Sequence, residues 1–284
     1  MISFITVAYN SASTIRACLE AALAQPNSEV IVVDNASADD TLAICRQIPG
    51  IKLVPHHTNV GFNGGNNLGL AQASGDIIVL LNPDAVLPAN VSPRIERLFA
   101  ELPDVGMIGC RMTNPDGSLQ STGSQLPTLR TLLYEHSAYH NLFPRSRAFA
   151  RYLIQDWDRR TSRRLGAVAG SCLAVRRADL EACGGLDSHY FLFYEEVDLA
   201  RAMAKIGKTA YYAADIEVQH VGGVSTKQDD KNGYIDRIYH ASRDYYLRKW
   251  HGQAYLVLFK ALSWGFNKAY GLWSTAARRL GMVK

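Results

Sequence analysis

A chain of 284 residues can bury a sizeable core, as one large domain or as one domain with a smaller appendage. Its composition is that of an ordinary soluble globular protein: no stretch reaches the roughly 18 uninterrupted apolar residues of a membrane span, and five scattered cysteines without CxxC or Cys/His spacing argue against a zinc site. The net charge of +4 hides an asymmetry, because from Lys227 onward 11 Lys/Arg face 4 Asp/Glu, a net of +7, whereas the preceding part has 19 against 22, a net of −3.

The opening "ISFITVA" reads directly as a strand with no basic region before it, which predicts a cytosolic protein whose cysteines stay reduced. "STIRACLEAALA" carries apolar residues at helical spacing, "EVIVVD" is a second strand and "DDTLAICRQI" a second helix. The strand "IKLVP", the Gly/Asn-rich "NVGFNGGNNLGLAQAS" opening a helix, the strand "DIIVLL", a helix after Pro93 and the strand "VGMIGC" follow. Such alternation predicts an α/β fold with a mostly parallel sheet covered by helices on both faces. Residues 111–165 are irregular, with the turn "NPDG" and the arginine-dense "DWDRRTSRR", and predict loops and short helices. "AVAGSCLAVRR" resumes strand character, "ADLEACGGLD" is a short helix closed by Gly184 and Gly185, "EEVDLARAMAKIG" is a helix stopped at Gly207, and "TAYYA" and "IEVQH" are two final strands.

Ligands of such sheets bind at the carboxyl ends of the strands. The candidates are therefore Tyr9 and Asn10, Asp34 and Asn35, residues 59–67, and Asn82 to Asp84. A carboxylate at Asp34 can accept from the N3–H of uracil or thymine, although an aspartate there also serves as a turn or cap residue. The glycines of "NVGFNGGNNLGL" allow close backbone approach, and a helix N-terminus offers N–H groups to phosphate. Their spacing is not GxGxxG and no phosphate-loop lysine follows, so a dinucleotide-binding dehydrogenase loses ground. In "VLLNPDAVL" a buried run stops at Asp84, which fits either a turn or a ligand at the rim of the sheet. Glu195 and Glu196 open a helix, where acidic residues are favoured in any case, yet one of them can serve as a general base. His220 ends its strand beside a glycine pair and gains meaning as a metal ligand only if Asp84 is near.

Taken in order, these segments resemble the inverting GT-A glycosyltransferases of family 2, especially the bacterial rhamnosyltransferase-like branch. The resemblance rests on "VAYNSASTIRACLEAAL", "EVIVVDNASADDT", "NVGFNGGNNLGLAQASGDIIVLLNPDAVL", "GSCLAVRRADLEACGGLDSHYFLFYEEVDLARAMAKIG" and "VQHVGGVS", within residues 2–225. It implies a GT-A domain over residues 1–226, a Rossmann-like mixed sheet flanked by helices. The donor half is about 1–110 and the acceptor half about 111–226, followed by a basic helical tail over 227–284. It implies donor-binding roles for Ala8, Tyr9, Asn10, Asp34, Asn63, Gly64, Asn66, Asn82 and Asp84, with Asp34 reading a pyrimidine base. Asp84 and His220 are implied ligands of Mn²⁺ or Mg²⁺. Glu196 takes the place of the catalytic base and Glu195 that of the preceding glutamate.

Two residues depart from the pattern. Asn82 stands where the first metal-site carboxylate is expected, which predicts weak metal binding without donor, and Glu196 replaces an aspartate. The implied reaction is inverting transfer from a nucleotide sugar, first dTDP-L-rhamnose, to a saccharide or polyprenyl-diphosphate-linked saccharide in cell-surface polysaccharide synthesis. The alternatives are a UDP-hexose or UDP-galactofuranose transferase and a non-catalytic sugar-nucleotide or glycan-binding module, which Asn82 keeps open.

The tail projects Tyr255, Leu258, Leu262, Phe266, Ala269, Trp273 and Leu280 on one helical face and Lys249, Lys260, Lys268 and Arg278 opposite, with Gly265 and Gly271 expected to bend or break the helix. This suits a helix lying on a membrane surface, peripheral at the inner face of the cytoplasmic membrane, or one packing on protein. The donor motifs do not call for nucleic acid.

Overall fold

The computed structural model describes residues 1–222 and 233–279. β1 (Ile2–Ala8) is buried along its whole length, as a strand covered on both faces must be. β2 (Ser28–Asn35) pairs with it in parallel and in a register that sets Asp34 beside Ala8 at the carboxyl edge. β3 (Ile51–His56) extends the sheet beyond β2, and β4 (Ile77–Leu81) lies on the other side of β1. The crossovers are α1 (Ile15–Leu23), α2 (Thr41–Arg46) and α3 (Gly61–Leu70). Two glycines let α3 lie close on β1, since a Cβ on Gly65 would stand 2.6 Å from Val7 and one on Gly69 2.4 Å from Ile5.

Beyond β4 come β5 (Ala85–Val86), α4 (Val91–Glu101) and β6 (Val105–Thr113). The irregular stretch holds the short helices α5 (Leu129–His136), α6 (Tyr139–Leu142) and α7 (Arg147–Leu153) before β7 (Arg163–Leu165). β8 (Cys172–Arg176), α8 (Arg177–Ala182), α9 (Glu195–Lys205) and β9 (Thr209–His220) complete the sheet, and α10 (Tyr234–His251) and α11 (Gln253–Arg279) close the described chain. The nine strands follow the order β3-β2-β1-β4-β8-β6-β9-β5, with β7 on β9. Only β5, β7 and β8 run against the rest, so the sheet is mixed and mostly parallel, as expected.

Three details differ from the sequence reading. "TAYYA" and "IEVQH" form one strand, because β9 absorbs a register shift where Cys110 pairs with Ala213 and Arg111 with Glu217. α4 starts two residues before Pro93, a first-turn position whose missing N–H costs nothing. α11 runs uninterrupted through Gly265 and Gly271.

The chain forms two compact units, Met1–Gly123 with Arg159–Arg243, and Ser124–Asp158 with Asp244–Lys284. The expected boundary at 226/227 and the end of "VQHVGGVS" lie outside the described residues. The first unit holds the sheet and a core built on Phe4, Val32, Val79, Leu81 and Ile108. In the second, Tyr134 stacks on Phe149 at 4.2 Å, and Tyr139 meets Phe266 edge-on.

The packed face of α11 is that of Leu256, Phe259 and Ala277, rotated from the projected stripe. Leu258, Ala269 and Trp273 of that stripe are exposed, as are Val257, Trp264 and Leu272 beside it, and Leu280 lies outside the described residues. Lys268 sits 4.8 Å over the Trp264 ring, and Lys260 pairs with Asp244 at 2.6 Å. Among the described residues no helix is long and apolar enough to cross a membrane.

Candidate active site

The turn after β4 places Asp84 beside the end of β9. Ala85 N–H donates to the Asn82 carbonyl at 3.1 Å across Pro83, closing the chain so that β5 can pair with β9. That pairing sets Ala85 opposite His220, which brings Asp84 Oδ1 to 3.3 Å from His220 Nε2. The other carboxylate oxygen accepts from Gly222 N–H at 2.9 Å. Asn82 Nδ2 also lies 3.3 Å from His220 Nε2, while Gln120 Oε1 is 2.9 Å from Nδ1.

These residues fit a divalent cation of limited protein coordination. Two cis ligands of an octahedral ion with bonds of roughly 2.1 Å lie about 3 Å apart, close to the Asp84–His220 separation of 3.3 Å. No group of three or more His, Cys, Asp or Glu residues able to hold a metal occurs among the described residues. The remaining positions would fall to ligands from outside the protein.

Beside this corner opens a cavity of about 550 Å³, lined by Tyr9, Asn35, Asn59, Asn82, Asp84, Ser171, Glu195 and Glu196 on its polar side. Phe62, the segment Phe191–Leu192–Phe193, and Tyr234, Ile235 and Ile238 of α10 form an apolar wall. The two glutamates reach the cavity through an unusual chain path. Phe193 and Tyr194 both adopt left-handed φ values of 68°, which side chains tolerate poorly. The segment is held by Phe62 N–H donating to the Phe191 carbonyl at 2.7 Å, by Ser242 Oγ donating to the Leu192 carbonyl at 2.7 Å, and by Tyr239 packed against the Phe193 and Tyr194 rings. Burial pushes the Glu195 carboxyl well above the ordinary carboxylate range, and the charge of Glu196 adds to the shift. Burial raises Glu196 as well. Glu195 Oε2 is buried without a hydrogen-bond partner.

The other predicted residues stand further back. Asp34 is buried behind the wall residue Asn35, and its Oδ1 lacks a partner. Ala8 is buried beside it, and Asn10 braces the following loop by accepting from Ala38 N–H. Asn63 donates to the Asp187 carbonyl at 3.0 Å and Asn66 to the Phe62 carbonyl at 3.0 Å, each keeping an unpartnered buried oxygen. Gly64 stands 3.0 Å, measured from an added Cβ, from Val60. None of these six lines the cavity. At the start of α3 Val60 N–H donates to Asn35, Gly61 N–H to Asn59 and Phe62 N–H to Phe191, so these three donors are committed to protein and not open to phosphate. Sequence reasoning missed the α10 wall, Gln120 and the 191–193 segment; only the last carried a signal, an aromatic run directly before the acidic pair.

The family model described as glycosyl transferase family 2 matches residues 3–184. The chain belongs to this family. Among relatives of this glycosyltransferase, the N-acetylglucosaminyl-diphospho-decaprenol L-rhamnosyltransferase of Mycobacterium tuberculosis is 30% identical over 227 residues, covering 75% of this chain and 72% of its own. The O-antigen chain rhamnosyltransferase WbaN of Salmonella anatum is 23% identical, over 79% of this chain and 66% of its own. Among solved structures, the mannosyltransferase PcManGT of Pyrobaculum calidifontis, in complex with GDP-Man and Mn²⁺, shares the fold at a TM-score of 0.53 and 20% identity, over 100% of this chain and 81% of its own.

Proposed function

We propose that this glycosyltransferase moves L-rhamnose from dTDP-L-rhamnose to a polyprenyl-diphosphate-linked saccharide, with inversion, in cell-surface polysaccharide synthesis. The observation that carries the reading is one cavity lined both by Asp84, which pairs with His220, and by Glu195 and Glu196. The rhamnosyl donor is supported by the named activities of the mycobacterial and Salmonella relatives, and the lipid-linked acceptor by that of the mycobacterial one.

Burial raises both carboxyls, so the two glutamates take up protons more readily than free ones and titrate as a pair. Glu196 takes the proton of the acceptor hydroxyl. The hydroxyl oxygen bonds to the anomeric carbon from the face opposite the leaving group, and the bond to the diphosphate oxygen breaks with its electrons. No covalent sugar–enzyme species is required. Asp84 and His220 would hold Mn²⁺ or Mg²⁺, which when bound offsets charge on the departing nucleoside diphosphate. Asp34 keeps the base-reading role that the resemblance implies, with its unpartnered Oδ1 buried and set back from the cavity lining in this structure. The +7 charge beyond residue 226, with Trp264 at 65% and Leu272 at 67% exposure, supports a peripheral seat on an anionic membrane surface.

Transfer is measured with dTDP-L-rhamnose and a short-chain polyprenyl-diphosphate-linked acceptor, with NMR of the product anomer. Asp84→Ala and Glu196→Gln should each lower turnover by at least 10³-fold, in the range of lost catalytic groups, and Glu196→Gln should spare donor binding. Wild-type turnover by Glu196→Gln would remove it as the base. A thermal-shift panel of sugar nucleotides with and without Mn²⁺ tests the donor, and a response to UDP-hexoses alone would replace the rhamnosyl assignment.

A further inference from the structure

Gln120 lies 100 positions from His220 in the chain and grips it twice. Its Oε1 faces His220 Nδ1 at 2.9 Å, and its Nε2 donates to the carbonyl of the same histidine at 2.7 Å. The same Nε2 donates to Asn114 Oδ1 at 2.8 Å. With both amide hydrogens committed to oxygens, the amide orientation is settled: the oxygen is the atom turned to the ring. Nδ1 must then carry the imidazole proton, which leaves Nε2 with its lone pair. On the other side of the ring Asn82 Nδ2, a donor only, is at 3.3 Å from Nε2 and matches a bare nitrogen. Asp84 Oδ1, an acceptor only when ionised, stands at 3.3 Å from the same nitrogen, an arrangement of two lone-pair donors that a cation between them would satisfy.

The local chain is shaped to present this amide. Asn114 N–H donates to the Ser118 carbonyl, Gly117 closes the turn at φ 81°, and Gln120 N–H donates to the Met112 carbonyl. A Cβ added to Gly222 would lie 3.7 Å from Gln120 Nε2 and 3.6 Å from the His220 ring. A structural staple at the end of β9 would need the carbonyl bond alone. The bond to Nδ1 adds control of which nitrogen is bare, and a ligating histidine requires that control.

We propose that Gln120 is a positioning residue whose side-chain amide, oriented by Asn114 and the His220 carbonyl, fixes His220 as the Nδ1–H tautomer and aims its bare Nε2 at the Asp84 corner as a cation ligand. The inference rests on the cation reading given above for Asp84 and His220.

The test uses the full chain, labelled with ¹⁵N in its histidine rings and freed of metal, with the His220 signals identified by their loss in His220→Gln. Wild-type His220 should show the Nδ1–H tautomer. Gln120→Leu should move it toward Nε2–H and weaken Mn²⁺ binding by about 10- to 100-fold, the usual effect of losing an outer partner of a ligating histidine. Mn²⁺ affinity is read from paramagnetic broadening of the His220 ring. Gln120→Glu keeps an acceptor for Nδ1–H and should recover the tautomer, whereas Asn114→Ala should loosen it; these two carry the test if the Leu variant does not fold. An Nε2–H tautomer in the wild type, or a folded Gln120→Leu variant with unchanged tautomer and Mn²⁺ affinity, would overturn the assignment. If the wild type takes up no Mn²⁺, the cation reading fails, and the tautomer in the metal-free protein still decides whether Gln120 sets the ring.

Discussion

Gly61→Ala should damage the enzyme twice, through stability and through the place of the glutamates. Gly61 sits at φ 77°, and an added Cβ would stand 2.4 Å from the Phe191 carbonyl oxygen and 2.7 Å from its Cα. A left-handed conformation costs a residue with a Cβ about 1–2 kcal/mol. Restoring ordinary contact requires the 191–194 segment to retreat by about 1 Å, which loosens the Phe62–Phe191 hydrogen bond at a further cost of about 1 kcal/mol. The total of about 2–3 kcal/mol corresponds to a Tm lower by about 5–10 °C for a chain of this size. Since that segment leads into Glu195 and Glu196, a displacement near 1 Å should lower kcat by about 10²-fold in the fraction still folded. Calorimetry and initial rates on the same preparation separate the effects. A native Tm would refute the steric reasoning, and a lowered Tm with unchanged kcat would refute the link from Gly61 to the acidic pair.

Glu195→Gln should stabilise the protein in a pH-dependent way. The folded-state pKa of Glu195 is raised, so wild type and variant should match below the unfolded-state pKa of about 4.3. Wild type should fall behind as pH rises through the folded-state value; a Tm difference that is flat in pH would contradict this. Asn82→Asp restores an anionic group to the Asp84 corner and should tighten Mn²⁺ binding in the absence of donor by about tenfold, or about 1.4 kcal/mol. Calorimetry showing unchanged affinity would mean that the missing charge is not what limits binding. Gly265→Ala, in the interior of α11 where an added Cβ meets nothing within 4 Å, should raise stability by about 0.5–1 kcal/mol. A lower Tm would show that this helix is not regular in solution.

The strands of the N-terminal, parallel part of the sheet were legible because each is a continuous apolar run bounded by turn residues. Parallel pairing then put Asp34 at the edge next to Ala8. Asp84 was singled out by the same logic, as a polar residue where a buried run stops, and Glu195 and Glu196 as an acidic pair opening a helix. What stayed hidden depends on distance along the chain. The three extra residues that β9 takes up between its pairings to Cys110 and Arg111 have no signature in periodicity. Asn63 looked like a ligand residue because a buried amide on a helix has the same pattern whether it meets a nucleotide or, as here, the Asp187 carbonyl 124 positions away. In α11 apolar residues lie nearly all around the helix, so projection alone did not single out the face of Leu256 and Phe259 that packs.

The hold of α10 on the segment before the glutamates bears on how the enzyme can be trimmed. Two consecutive left-handed aromatics, at about 1–3 kcal/mol each, persist only where surrounding contacts outweigh them. Here those contacts include Ser242 and Tyr239. A fragment ending where the family's motifs end, near residue 226, would retain Asp34, Asp84, both glutamates and His220, and would satisfy any motif-based definition of a catalytic domain. It would also release Phe193 and Tyr194 to relax, and strip Tyr234, Ile235 and Ile238 from the cavity. Such a fragment would carry a complete signature and an unassembled site, so minimal versions of this enzyme for crystallography or engineering should be cut beyond α10.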